Sequence, residues 1–257
     1  MVTTAKRLTV WERKRIQNKI KACEKRGSLS ASLFLEADCF FFYGTKRRCG
    51  GVLSVFFPTE KEAEFTVAEF SQEKEVLPAL FTAALDMCRR VRVEEVYTVV
   101  NPSLGFQKTE NCGARLSYAF SEYLLCCDIG TLAKRSGEKP ESGKETCKEA
   151  VLRRSEEEDG QLLYRLFWEG KEVSECRFMP FDAGKGWYLF SLETKEEFRR
   201  RGFAECLIRE TAEELSAAGA ERIRLQVSSK NRPAERLYRR LGFRTEEQRD
   251  YYKTEEL

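Results

Sequence analysis

The sequence contains no histidine among its 257 residues. This absence excludes Ser-His and Cys-His nucleophile arrangements and the His-Glu-x-x-His type of zinc site, whatever the fold. It also removes the side chain that most often acts as a general base. Any general base in this protein is therefore expected among the carboxylates.

Long hydrophobic runs are absent as well. No apolar stretch approaches the length of a membrane span, and Met1–Arg7 lacks the apolar core of a secretory signal. Lysine and arginine total 45 against 42 acidic residues, and the resulting charge of +3 indicates neither a nucleic-acid nor a membrane partner. We expect a cytoplasmic protein with neither partner, and the sequence predicts no oligomeric state.

Cysteine is plentiful, but the spacing typical of metal or redox sites is missing. None of the ten cysteines forms a Cys-x-x-Cys pair, and several stand within apolar runs. This pattern favours buried thiols in a reducing compartment, without bound metal or a disulfide framework. The cysteines are Cys23, Cys39, Cys49, Cys88, Cys112, Cys126, Cys127, Cys147, Cys176 and Cys206.

A basic, glycine-containing segment opens a predicted helix in the second half of the chain. Arg199-Arg200-Arg201-Gly202-Phe203-Ala204 precedes an amphipathic stretch that runs to Ala218, and Trp187–Thr194 before it is typical of a strand. The amide groups and dipole of a helix start attract phosphate, and Gly202 leaves them open to approach. Arg199 and Arg201 add charge-assisted contacts to the same oxygens. Taken alone, the arginines would also fit a solvated basic patch.

A second motif follows after one predicted strand, Arg222–Val227. It reads Asn231-x-x-Ala234-x-x-Leu237-Tyr238-x-x-x-Gly242-Phe243, with Asn231 suited to cap a helix and Pro233 in its first turn.

The two motifs together resemble those of the GNAT superfamily of N-acetyltransferases. Arg199-x-x-Gly202-x-Ala204 is similar to that family's coenzyme A loop, and the Asn231 to Phe243 segment is similar to its later motif. The resemblance implies a mixed sheet with splayed central strands and acetyl-CoA as co-substrate, without a metal. It also implies donor binding by Leu192, Thr194, Arg199, Arg201, Gly202, Phe203, Ala204 and Asn231.

Two catalytic residues follow from the resemblance and the residue chemistry. Tyr238 matches the family tyrosine that protonates the departing thiolate, which is chemically reasonable because phenol and thiol pKa values are close. Glu193, at the end of the strand beside the thioester, is the candidate base, acting directly or through water. The alternatives are a tyrosine that only packs and a glutamate that only faces solvent.

The chain also divides into two similar halves. Thr131–Thr146 has the composition of a linker, so we predict domains at 1–130 and 147–257, with a linker at 131–146. The predicted helix at Val76–Val91 and Asn101 parallel the second half at an offset of about 130 residues, as an internal duplication would. The first copy has Ser71–Pro78, with two glutamates and no glycine, where a phosphate loop should stand.

The whole chain thus resembles bacterial tandem-GNAT proteins. This resemblance implies an α+β fold of two GNAT-like domains, each a mostly antiparallel splayed sheet flanked by helices. We expect the first copy to have lost cofactor binding and the second to transfer an acetyl group to a primary amine by direct attack. The acceptor is a small molecule or a peptide. The alternative is a non-catalytic acetyl-CoA sensor or protein-interaction module on the same scaffold.

Overall fold

A computed structural model of the chain describes residues 1–25, 33–71, 73–102, 112–134, 149–157 and 160–255. Two compact units are present. The N-terminal unit comprises Met1–Glu122 together with Gln248–Leu257, and the C-terminal unit comprises Tyr123–Glu247. Strands β6, Leu116–Asp128, and β12, Arg244–Thr254, each contain residues of both units.

The N-terminal unit begins with a short strand and a capped helix. At the start of the helix, the Thr9 amide donates to Glu12 Oε2 at 2.8 Å and the Glu12 amide donates to Thr9 Oγ1 at 3.2 Å, so the two residues form a capping box. The elements before β6 are β1 Val2–Ala5, α1 Val10–Lys25, β2 Cys39–Gly44, β3 Cys49–Phe56, β4 Glu62–Glu69, α2 Val76–Arg90 and β5 Glu95–Val100.

Strands of the N-terminal unit follow the order β1-β2-β3-β4-β5-β12. Neighbours pair antiparallel except β4 and β5, which pair in parallel over Glu62–Phe65 and Glu95–Thr98. Helix α2 packs on one face through Phe81, and α1 packs on the other through Ile16 beside Phe40. Buried residues follow one another along β2 and β3 instead of alternating with exposed ones, as expected for a sheet covered on both faces.

The C-terminal unit contains the predicted strand, helix, strand and helix in sequence, preceded by three antiparallel strands. Its elements after β6 are α3 Ile129–Lys134, β7 Val151–Glu156, β8 Leu162–Trp168, β9 Lys171–Phe181, β10 Gly186–Thr194, α4 Phe203–Ala217, β11 Arg222–Ser228 and α5 Arg232–Leu241. The strands follow the order β6-β11-β10-β9-β8-β7, and β10 and β11 are parallel. Leu132 of α3, Leu207 of α4 and Leu241 of α5 are fully buried in one shared core.

The predicted elements lie within a few residues of those observed, and the predicted mixed α+β sheet with flanking helices is confirmed. The domain limits at 1–130 and 147–257 stay a prediction. Residues 135–148, most of the predicted linker, lie outside the described residues, whereas Thr131–Lys134 form the end of α3. The boundary between the two compact units falls at Tyr123, and the last ten residues belong to the N-terminal unit.

Candidate active site

The two central parallel strands of the C-terminal unit pair over only part of their length. Gly186–Leu189 of β10 pairs with Arg222–Leu225 of β11. Beyond Leu189, β10 continues to Thr194, and beyond Leu225, β11 continues to Ser228, without further pairing between the two. The separation leaves backbone groups of β10 open to a ligand between the strands, which is the splay that the family resemblance implied.

A β-bulge lies in β10 at the start of this separation. Phe190 is opposite Arg177 on β9 and Glu193 is opposite Glu175, so β10 holds one residue more than its partner across this interval. Ser191 has a φ of 51°, in the left-handed region that residues other than glycine rarely adopt. A bulge redirects the backbone and leaves one residue outside the ladder. The amides near Leu192 are thereby turned out of regular strand geometry.

The end of β10 is held in place by a buried hydroxyl and an arginine. Ser174 on β9 is buried, and its Oγ donates to the Glu193 carbonyl oxygen at 2.6 Å and lies 2.9 Å from Thr194 Oγ1. Arg199 Nε donates to the Thr194 carbonyl oxygen at 3.1 Å. These contacts connect the strand that would flank the thioester to the loop that would hold the diphosphate.

Helix α4 begins with the geometry of an anion-binding site. Its N-cap is Gly202, with a φ of 87° and no side-chain hydrogen bond to the first turn. A serine, threonine or aspartate at this position would occupy one of the first amides with its own oxygen, which glycine cannot do. The amides of the first turn, at Phe203 and Ala204, therefore face the helix start without a capping side chain.

Three consecutive arginines precede this helix start in the chain. Arg199, Arg200 and Arg201 are all exposed, and Arg200 also has a positive φ of 64°. The Arg201 guanidinium lies 5.6 Å from the ring centroid of Phe198, a buried residue of the preceding turn. Their charges add to the dipole of α4, so the local field favours an anion.

Tyr238 lies on α5, on the helix side of the sheet, and is 7% exposed. Its ring packs edge-on against Phe243 with centroids 5.8 Å apart. Burial, together with the nearby Cys176 thiol, raises the pKa of Tyr238 to about 12. The phenol therefore keeps its proton throughout the physiological range. Its pKa lies above the value of about 8.5 for a free thiol, so complete proton transfer to a thiolate is unfavourable. The hydroxyl is therefore better suited to donate a hydrogen bond to the sulfur than to transfer its proton.

Glu193 lies on the opposite face of the same sheet. Its register partner Glu175 alternates along β9 with the buried residues Ser174 and Cys176, so Glu175 and Glu193 both lie on the face away from the core of α4 and α5. The Glu193 side chain is exposed, whereas Glu175 is within 3.5 Å of Arg165 Nε. Candidate base and candidate acid therefore approach the separation between β10 and β11 from opposite faces.

Asn231 caps α5, as its sequence position indicated. The Ala234 amide donates to Asn231 Oδ1 at 3.3 Å, and a proline follows within the first turn. This contact bears out the structural interpretation of Asn231, while its contact with a bound donor stays a prediction.

The corresponding region of the N-terminal unit differs. Helix α2 starts after Glu75, which has right-handed helical geometry, and no described residue of the preceding loop has a positive φ; Gln72 lies outside the described residues. The amides of Phe70 and Ser71 both donate to the Gly50 carbonyl oxygen, at 2.7 and 2.9 Å. These amides are therefore already used within the fold.

Sequence reasoning missed three features of the site: the bulge at Ser191, the Ser174 hydroxyl, and the ion pairs of Glu205, in the first turn of α4, with Arg209 and Arg240. Of these, only Ser174 carries a sequence signal, because it is a polar residue in the alternating series of β9 that also contains Cys176 and Phe178.

Across the described residues no group of three or more cysteine and acidic side chains could hold a metal ion. No disulfide joins the nine cysteines within the described ranges. No helix in those ranges has the length and apolar character needed to cross a membrane.

Comparison with known proteins defines the class of this fold. The family model described as FR47-like protein matches residues 183–252, which contain β10, α4, β11 and α5. A GCN5-related N-acetyltransferase from Sphaerobacter thermophilus superposes with a TM-score of 0.66 at 15% identity, covering 98% of this chain and 95% of that chain. No curated protein sequence matches the chain.

A tandem GNAT protein from the clavulanic acid biosynthesis pathway superposes with a TM-score of 0.63 at 10% identity, covering 99% of this chain and 98% of the other. A GNAT-family acetyltransferase from Colwellia psychrerythraea gives 0.53 at 9% identity, with 99% and 100% covered. The chain therefore has the fold of the GCN5-related N-acetyltransferases over nearly its whole length, and the predicted fold class is confirmed.

Proposed function

We propose that this protein is an N-acyltransferase that moves an acetyl group from acetyl-CoA to a primary amine. The observation that carries the proposal is the arrangement around β10. Strand β10 stops pairing with β11 at Leu189 and has a bulge at Ser191. The helix start that follows has a glycine cap and three arginines before it. Each feature alone occurs in proteins of many functions, whereas together they suit a thioester joined to a diphosphate.

The residues present fit coenzyme A. The uncapped first turn of α4 and the exposed arginines at 199–201 would hold the diphosphate oxygens, with Gly202 allowing close approach. Backbone groups of Leu192 and Thr194, in the part of β10 that does not pair with β11, would bind the pantetheine arm and the acyl carbonyl. Acetyl-CoA supplies the acyl group as an activated thioester.

Catalysis would come from placing charge and protons around the acyl carbonyl. Amides of the bulge near Leu192 would stabilise negative charge that develops on the carbonyl oxygen. The Tyr238 hydroxyl, protonated because its pKa is raised to about 12, would donate a hydrogen bond to the departing sulfur. Glu193 Oε would accept a proton from the amine, directly or through water.

Direct attack by the amine is the route that these residues support. The chain has no histidine to activate a serine or cysteine nucleophile, and Cys176 beside Tyr238 is buried, with its pKa raised by burial. A raised pKa disfavours the thiolate that covalent catalysis would require. An acyl-enzyme on Cys176 is therefore disfavoured.

The acceptor is proposed to be a small-molecule or peptide amine. A carboxylate such as Glu193 suits both the binding of an ammonium group and its deprotonation. Cytoplasmic location and the absence of nucleic-acid or membrane partners stay expectations from the composition.

The test is a titration with acetyl-CoA, followed by measurement of thiol release over a panel of small amines and lysine-containing peptides. Saturable binding with amine-dependent thiol release supports the proposal. Binding without release from any amine would favour the non-catalytic sensor, and the absence of binding would overturn both functions.

A further inference from the structure

A buried carboxylate lies in the first turn of the helix whose start would hold the diphosphate. Glu205 is the third residue of α4 and is only 5% exposed. Negative charge in the first turn suits the helix dipole but repels an anionic ligand bound at the same place. A helix start that binds a diphosphate is therefore an unfavourable position for an uncompensated glutamate.

Two arginines compensate this charge, and they come from different helices. Arg209, one turn further along α4, donates from Nε and Nη2 to Glu205 Oε1 at 3.1 and 2.9 Å. Arg240 on α5 donates from Nη2 to Glu205 Oε2 at 2.8 Å. Arg209 also donates to the Leu132 carbonyl oxygen of α3 at 3.4 Å. Both carboxylate oxygens of Glu205 are thus engaged by a cation.

Arg240 also lies two residues after Tyr238 on α5. The Arg240–Glu205 ion pair thereby connects the helix that carries the proposed acid to the helix start that would hold the diphosphate. The start of α2 in the N-terminal unit offers a contrast. There the glutamates before the helix, Glu73 and Glu75, are exposed and not buried.

We infer that Arg240 is a positioning residue for coenzyme A, acting through Glu205 rather than on the ligand. By neutralising the buried carboxylate, Arg240 keeps the charge at the start of α4 positive enough to hold a diphosphate. This inference rests on the proposed function. Without Arg240, Glu205 stays buried with only Arg209 as partner, and its field opposes the ligand.

A charge-compensation experiment separates this role from a merely structural one. Affinity for coenzyme A is measured for the wild type, Arg240→Gln, Glu205→Gln and the double variant. We expect Arg240→Gln to bind about tenfold more weakly, an effect of the size that one nearby charge produces at partial exposure. Glu205→Gln should bind at least as tightly as the wild type, and the double variant should recover to within about threefold of it.

The opposite pattern would overturn the inference. If the ion pair acts only by tying α4 to α5, removing Glu205 as well cannot restore affinity, and the double variant stays as weak as Arg240→Gln. If Arg240 contacts the ligand itself, its loss removes more affinity than the loss of Glu205 returns, and the double variant stays well below the wild type. The matched control is Arg239→Gln on the same helix. Arg239 lies 5.4 Å from the Tyr123 ring and 3.6 Å from Glu235, so its loss should leave affinity unchanged.

Thermal unfolding of each variant identifies loss of fold. If Arg240→Gln does not fold, the affinity of Glu205→Gln for coenzyme A decides the test, because weaker binding by that variant contradicts the inference. A wild type that does not bind coenzyme A would overturn the proposed function and this inference together. Wild-type binding without recovery in the double variant would overturn this inference alone.

Discussion

At the scale of single residues, Tyr238 has the most specific proposed role. Its ring packs in the core, while its hydroxyl carries the proposed function. Because burial raises the Tyr238 pKa to about 12, the hydroxyl remains protonated at every ordinary assay pH. Complete proton transfer to a thiolate is then uphill, so donation of a hydrogen bond in the transition state is the main contribution that we expect.

Tyr238→Phe should therefore lower kcat by about 100-fold, in the range of a lost acid or hydrogen-bond donor. Affinity for coenzyme A should stay within about twofold, because phenylalanine preserves the packing against Phe243. Thiol release under saturating substrates measures the first quantity and calorimetric titration the second.

Tyr164→Phe is the matched control. It removes a hydroxyl from the same core, but that hydroxyl donates to Glu214 at 3.1 Å and lies in no proposed site. This variant should lose stability while turnover per folded molecule is kept. An unchanged kcat in Tyr238→Phe would assign the acid role to another group or to water.

The sequence alone predicted structural roles that depend only on neighbouring residues in the chain. Asn231 caps α5 because a short polar side chain before Arg232-Pro233 suits a helix start. The left-handed geometry of Ser191 was not predictable, because serine has no preference for it and the surrounding sheet imposes it. The Glu205–Arg240 contact was equally hidden, since it joins residues of two helices whose packing the sequence does not specify.

At the scale of elements, helix α4 has left-handed glycines at both ends. Gly202 precedes it with a φ of 87°, and Gly219 follows it with a φ of 91°. Alanine at either position meets a similar backbone penalty of about 1 kcal/mol. Only the first glycine lies at the proposed diphosphate site.

Gly202→Ala should weaken coenzyme A binding by about tenfold or more, because a methyl group would stand before the first-turn amides and the αL geometry would be strained. Gly219→Ala should leave binding unchanged, since a Cβ there meets no atom within 4 Å. Titration of both variants beside their thermal unfolding separates affinity from stability. Equal losses of affinity in the two variants would contradict the assignment of the α4 start.

Glu64, on strand β4 of the N-terminal unit, has a side-chain carboxyl group with a raised pKa. Burial, and then the nearby Glu122 carboxylate, raise the pKa of Glu64 from 4.5 to about 7. Glu122 in turn accepts a hydrogen bond from the Tyr251 hydroxyl at 3.0 Å. Because the folded pKa exceeds the unfolded one, the stability associated with protonated Glu64 is present below about pH 4.5 and is lost as the pH rises through 7.

Glu64→Gln should remove this dependence. Between pH 5 and pH 8 the wild type should lose on the order of 1–2 kcal/mol of unfolding free energy that the variant keeps, after allowance for the partial exposure of Glu64. Urea unfolding at the two pH values measures the difference, with exposed Glu60→Gln as control. A variant that tracks the wild type at both pH values would show that Glu64 titrates normally.

The elements themselves were largely predictable, because hydrophobic period and turn residues are local signals. The observed bounds of α2, β10, α4 and β11 lie within two residues of the prediction. Helix α3 was missed because Thr131–Lys134 has few apolar residues of its own. It is stabilised by packing of Ile129 and Leu132 in the core beside α4, which no local pattern reveals.

At the scale of the whole molecule, the two units repeat one plan. Each has two parallel strands that pair over four residues and are connected in the chain by a helix: β4, α2 and β5 in the N-terminal unit, and β10, α4 and β11 in the C-terminal unit. The repeat was visible in the sequence as an offset, but the assignment of Gln248–Leu257 to the N-terminal unit was not. The membership of this terminal strand depends on its pairing with β5, far away in the chain, which composition and periodicity do not encode.

The two units differ in the loop before the central helix. In the C-terminal unit, a left-handed glycine and three arginines precede α4. In the N-terminal unit, two exposed glutamates precede α2, and the Phe70 and Ser71 amides are bonded to Gly50. We therefore expect a single donor site in each chain, in the C-terminal unit.

Isothermal titration of the full chain with acetyl-CoA tests this central claim most directly. The account predicts saturable binding with one equivalent per chain, abolished or strongly weakened in Gly202→Ala and unaffected by Glu75→Gln at the start of α2. No heat of binding at millimolar ligand, or two equivalents per chain, would contradict it.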